Sequence, residues 1–164
     1  MKPVRARGDE ASAAPGPSLK GRALRWLSMR EHSRAELARK LAPHAAAPEE
    51  VEALLEDLMV QGWLSDERAA HSVVRRHSER LGLARVKQAL HAKGLASDVV
   101  AEATAGLVDT ERARALQVWQ RKFGQPPADV AEQAKHARFL MGRGFGHDTI
   151  RAVLKQVADQ FPGE

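Results

Sequence analysis

A chain of 164 residues with 43% apolar side chains can build one modest core or a few small helical units that share apolar surface. With no cysteine it has no disulfide, thiolate metal ligand or cysteine nucleophile, and no apolar run approaches the roughly 20 residues that span a bilayer, so a cytoplasmic protein is expected. The net charge of +5 admits polyanions as partners, and it is segregated: Glu49 to Glu67 holds seven acidic residues and no Lys or Arg, whereas Arg68 to Lys93 holds seven basic residues against Glu79 alone.

Residues 1–17 carry Arg5, Arg7, Pro15 and Pro17 with almost no bulky apolar side chain, which predicts a disordered basic tail. Helical signals follow at once. Apolar spacing and stop signals predict helices over 18–31, 33–42, 48–61, 66–80, 83–93, 98–107, 110–123, 128–142 and 147–159. Ser33 and Glu36 form an SxxE capping box, and Pro48 ahead of Glu49 and Glu50 opens the next helix with a fixed φ and favourable charge at the positive end of its dipole. Gly62, Gly94 and Gly124 each follow a helical run and suit the left-handed residue that ends it, with Trp63 and Leu95 placed for the accompanying apolar contact. Gly82 is expected at a turn before a helix, and in Gly142-Arg143-Gly144-Phe145-Gly146 two glycines open a turn while the third lies near the next N-cap. No alternating β-branched run predicts a strand.

A small turn residue followed by aliphatics four and eight positions later occurs three times: Ser33, Leu37, Leu41; Gly82, Val86, Leu90; and Gly146, Ile150, Leu154. This predicts an all-α protein of tandem three-helix repeats stacked into an elongated, curved arrangement. The repeats are placed at 18–64, 65–108 and 109–164, the last with its third helix truncated by the chain end.

Catalytic and metal signatures are missing. The seven histidines form no HExxH, and His32 with Glu36 reads as a solvated histidine beside a cap. No GxSxG precedes a helix, and no strand or GK[ST] turns the glycines at 142–146 into a phosphate loop. No enzyme activity, cofactor or metal is expected. With 4% aromatic residues and no tyrosine the chain is poor in stacking platforms, and Trp26, Trp63, Trp119, Phe123, Phe139 and Phe145 are expected in the core. Partner contacts are expected instead from Arg75, Arg76, Arg80, Arg85, Lys87 and Lys93, with Arg138 and Arg143 as further candidates, because guanidinium forks suit phosphate and carboxylate alike.

The ordered set Asp66, Arg68, Arg76, Gly82, Arg85-Val86, Leu90, Lys93-Gly94-Leu95, Phe139-Leu140 and Arg143-Gly144-Phe145 resembles the RecX family of recombinase regulators over residues 18 to 160. Ala69 departs from it, where an aromatic is usual, as does Ala89, where an acid often precedes the leucine. The resemblance implies a protein of tandem three-helix repeats that binds the RecA nucleoprotein filament in its groove and restrains recombinase, ATPase and coprotease activity; a monomer is expected, with DNA as a further candidate contact through the basic middle repeat. A second reading from the residues is a helix-turn-helix protein that binds DNA directly, with Arg85, Lys87 and Gln88 of helix 83–93 in the major groove.

Overall fold

The computed structural model describes residues 16–161, so the basic tail expected at 1–17 lies, save for its last two residues, outside the described residues. Among the described residues there are nine α-helices and no strand: α1 Leu19–Met29, α2 Arg34–Leu41, α3 Pro48–Val60, α4 Asp66–His77, α5 Leu83–Ala92, α6 Ser97–Thr104, α7 Leu107–Lys122, α8 Val130–Gly142 and α9 His147–Gln160. Local chemistry explains the starts. Ser18, Ser65 and Asp129 each accept a hydrogen bond from the amide three residues on, and the Ser33–Glu36 capping box is complete in both directions. Gly62, Gly94, Gly124 and Gly144 have φ of 77°, 72°, 69° and 89°, a conformation that costs a residue with a Cβ.

Helices this short need tertiary burial, and they find it in three successive cores. The first joins Ala23, Leu37, Leu41, Val51, Leu55 and Leu58; the second includes Ala70, Val73, Val86, Leu90 and Val100; the third is built on Trp119, Leu140, Phe145, Ile150 and Val157. Each therefore draws on three helices. The equivalence is visible in one pair: Leu41 with Val51, Leu90 with Val100, and Leu140 with Ile150 are all buried and each ten residues apart. They hold the second helix of a module against its third, α2 on α3, α5 on α6 and α8 on α9.

This register corrects the expected third copy. Gly146, Ile150 and Leu154 belong to α9, the counterpart of α3 and α6, while the counterpart of Leu37 and Val86 in α8 is His136. The third module is α7, α8 and α9, and it is not short of a helix. Two aromatic expectations change with it or beside it. Trp119 is buried as expected, but Trp63 is 57% exposed, because the turn after α3 sends Leu64 inward while both amides bond the Leu58 carbonyl. His32 is not solvated; it is 1% exposed.

The modules are joined neighbour to neighbour, and no backbone hydrogen bond among the described residues links the first to the third. Both joints use the same places. The start of the second helix in one module meets the C-terminal turn of the second helix in the next: Ser33 Oγ donates to the Lys93 carbonyl, and the Gly82 amide donates to the Arg143 carbonyl at 2.8 Å. A Cβ on Gly82 would lie 2.2 Å from the Gly144 carbonyl oxygen, and one on Gly94 would lie 2.6 Å from Ala35 Cβ. Backbone meets backbone at the second joint, so no side chain fits there.

Candidate functional site

The first joint is centred on Glu36, a carboxylate only 8% exposed. Its Oε1 accepts from Lys93 Nζ at 2.7 Å and Arg30 Nη2 at 3.1 Å, and its Oε2 from the Ser33 amide at 3.0 Å. Burial alone raises this carboxyl's pKa, but hydrogen bonds from Lys93, the Ser33 amide and Arg30 outweigh it and hold the group at about 2. Arg68 ties Glu31 and the Gly62 carbonyl at 3.0 and 2.8 Å, and Asp66 accepts from the Arg34 amide at 2.8 Å. Lys93 thus belongs to the joint.

At the second joint Arg85 Nε donates to the Gly142 carbonyl at 3.2 Å, and its stem lies on Gly144. Arg114 donates to the carbonyls of Ser78, Leu81 and Leu107 at 2.8, 2.7 and 3.0 Å, closing the chain between α4 and α5 onto α7. Burial lowers the Arg114 pKa, partly offset by Glu111, whose carboxylate accepts from the Leu83 amide and Thr149 Oγ1, both at 3.0 Å. Two of the eight arginines and lysines named from the sequence therefore fasten modules together.

The remaining six are exposed, and three of them converge with residues that charge counting did not single out. Arg80 and Arg143 line a groove of about 250 Å³ with Arg121, Lys122, Val118 and Phe139. There the Arg143 guanidinium lies 5.2 Å and Lys122 Nζ 5.7 Å from the centre of the Phe139 ring. Arg76, four residues earlier, lines a different hollow, a cleft of about 630 Å³ against α1 and α2. Arg75, Lys87 and Arg138 are exposed but line neither depression. The end of α4 thus stands between two cation-lined hollows, one on each neighbouring module.

In the first hollow Arg22, Arg25, Arg30, Lys40 and Arg76 surround Trp26 and His32. His32 Nδ1 lies 3.0 Å from the Arg30 carbonyl and its Nε2 3.1 Å from Lys40 Nζ. Burial lowers the His32 pKa, followed by the nearby Arg30 and Lys40, so the ring is neutral, with Nδ1–H donating and Nε2 accepting from Lys40. The sequence did carry one sign of this hollow: between Ala11 and Arg30 there are four basic residues and no acid.

In the third module His136 Nδ1 accepts from Trp119 Nε1 at 3.2 Å, and Phe123 stacks on the same imidazole at 3.6 Å. Burial is the main cause of a lowered His136 pKa, which suits a neutral acceptor. Among the described residues no three His, Asp or Glu side chains gather to hold a metal, and no helix is long and apolar enough to cross a membrane.

Fold and surface together define a class: an all-helical protein of three tandem three-helix repeats that presents arginine-lined hollows beside its module joints. Comparison with known proteins narrows it. The family models described as RecX, first, second and third three-helix domain match residues 20–58, 65–103 and 109–154. Regulatory protein RecX of Leptothrix cholodnii is 55% identical over 145 residues, which cover 88% of this chain and 92% of that one. Its counterpart in Ralstonia nicotianae is 52% identical over 138 residues, covering 84% and 87%. The chain belongs to the RecX family. The crystal structure of RecX from Lactobacillus salivarius has the same fold, with a TM-score of 0.74 at 20% identity over 85% of this chain and 94% of that one.

Proposed function

We propose that the protein binds a RecA-type recombinase filament in the cytoplasm, as a monomer, and inhibits its recombinase and ATPase turnover by lying in the filament groove. The observation that carries this is the repetition of one joint, which sets three equivalent modules in a row. A row of like units matches a helical polymer better than a single site, because successive modules meet successive subunits and each weak contact raises the effective concentration of the next. Contact across several subunits holds in place subunits that must move during turnover, and a body in the groove excludes the incoming strand. Arg75 and Arg76, exposed in the last turn of α4, and Arg80, exposed in the turn that follows it, are the proposed central contacts. The alternative of a direct DNA reader on α5 loses support, since Arg85 is engaged by the Gly142 carbonyl and the start of α5 is covered by the third module.

The test is DNA-dependent ATP hydrolysis by RecA titrated with this protein. Inhibition well below the RecA concentration is expected, and it should weaken at least tenfold when Arg75, Arg76 and Arg80 are changed together to Glu while helix content is kept. Equal inhibition by that variant would remove the end of α4 from the contact.

A further inference from the structure

We infer that the cleft between α1, α2 and the end of α4 is a binding site for the phosphodiester backbone of a nucleic acid. Arg22 and Arg25, three apart on α1, project from one helical face, where like charges oppose each other. Lys40 comes from α2 and Arg76 from α4, so three helices from two modules deliver cations to a single hollow of about 630 Å³. Among the described residues none of these four makes an ion pair, although carboxylates are plentiful on α3. Their mutual repulsion is left uncompensated, as expected of a surface whose counter-charge is supplied by a ligand.

Lys40 shows that the arrangement is built. Its ammonium is held 5.3 Å from the centre of the Trp26 ring and is steadied by the buried, neutral His32, not by a carboxylate. An aspartate in that role would fix the lysine equally well and cancel its charge; a neutral imidazole fixes it and leaves the charge whole. The guanidinium groups around it each offer a fork matched to two phosphate oxygens. The Trp26 ring is flanked by His44 at 6.1 Å and packs on the first core, so it serves as a floor and leaves recognition to phosphate rather than base.

A free nucleotide offers the same phosphoryl oxygens as a nucleic acid strand. The strand is favoured because the cations do not end at the cleft: Arg80, four residues beyond Arg76, lines a second hollow with Arg121, Lys122 and Arg143, and a strand has further phosphates to meet it where a nucleotide has none. Of the cleft's cations only Arg76 is shared with the contacts proposed for the recombinase; the test varies other residues of the cleft and contains no recombinase.

Binding of a fluorescent 20-nucleotide oligo-dT is measured by anisotropy on the full chain at a series of salt concentrations. The variant Arg22→Glu/Arg25→Glu should bind at least tenfold more weakly, and its log K against log salt should be flatter by about 1.4, the loss of two single-strand phosphate contacts. A variant of equal charge change on the far helix, Arg151→Glu/Lys155→Glu, should bind within about twofold of the parent. Oligonucleotide should also quench Trp26 emission, and the quench should vanish in Trp26→Phe while binding persists. Equal losses in the two charge variants would reduce the effect to net charge and overturn the site. Displacement of the oligonucleotide by ATP at matched phosphate concentration would assign the cleft to free nucleotides and overturn the backbone reading.

Discussion

Replacing Glu36 with glutamine removes the buried negative charge at the centre of the first joint while keeping the size of the side chain. In the folded protein the carboxyl sits at about 2, against 4.5 for the free group. That difference corresponds to about 3 kcal/mol of stability carried by the ionised form. Because the folded pKa is depressed, the contribution is complete above about pH 5, falls as the unfolded chain begins to take up the proton, and about 2 kcal/mol of it is gone by pH 3. The assay is urea unfolding of the parent and Glu36→Gln from pH 7 to pH 3, followed by Trp26 emission. The parent should be more stable by about 3 kcal/mol at pH 7, with the gap narrowing steadily below pH 5. A gap that stays constant down to pH 3, or no gap at pH 7, would refute the assignment of the charge to Lys93 and Arg30.

Gly82→Ala places a Cβ 2.2 Å from the Gly144 carbonyl and should cost roughly 1–3 kcal/mol by forcing the second joint apart, measured as a shift in the urea midpoint. Gly142→Ala meets nothing within 4 Å inside α8 and should instead stabilise by about 0.5–1 kcal/mol. His136 has a lowered pKa, so its neutral form favours folding above about 6.5 and that support is lost as pH falls below it, when Nδ1 gains a proton and ceases to accept from Trp119. Near-ultraviolet dichroism should show a transition of the third module below pH 6.5 that His136→Leu lacks. Arg114→Lys should destabilise by about 1–3 kcal/mol in thermal unfolding, because one ammonium cannot reach the three carbonyls that the guanidinium spans.

Features fixed by neighbours in the chain were readable from the residues. Ser33 and Glu36 make a cap from residues three positions apart, and Leu37 with Leu41 matched Val86 with Leu90 because both pairs face a core one turn apart. The third repeat was misaligned for a chemical reason: an aliphatic pattern cannot find a position occupied by histidine, and His136 reaches the core only because Trp119 satisfies its acceptor nitrogen. The aliphatic spacing of α9 offered a better match in the wrong place. Charge was harder still. Nothing in the sequence distinguishes Arg85, spent on a carbonyl of the next module, from Arg80, which faces solvent five residues earlier. The cleft of Arg22, Lys40 and Arg76 exists only once α1, α2 and α4 are packed, so its residues lie too far apart in the chain to announce each other.

The two outer ends of the row differ from its joints. At the start of α8, where Ser33 and Gly82 stand in the other modules, Asp129 accepts from the Glu132 amide and Glu132 in turn accepts from the Ala128 amide at 2.9 Å. At the end of α2, where the others have a left-handed glycine, Ala42, Pro43 and His44 wind into a short 3₁₀ turn. The groups that would clasp another unit are thus occupied at one tip and reshaped at the other. A second copy brought tip to tip therefore meets neither the serine or glycine start nor the left-handed glycine turn from which the two joints inside the chain are made.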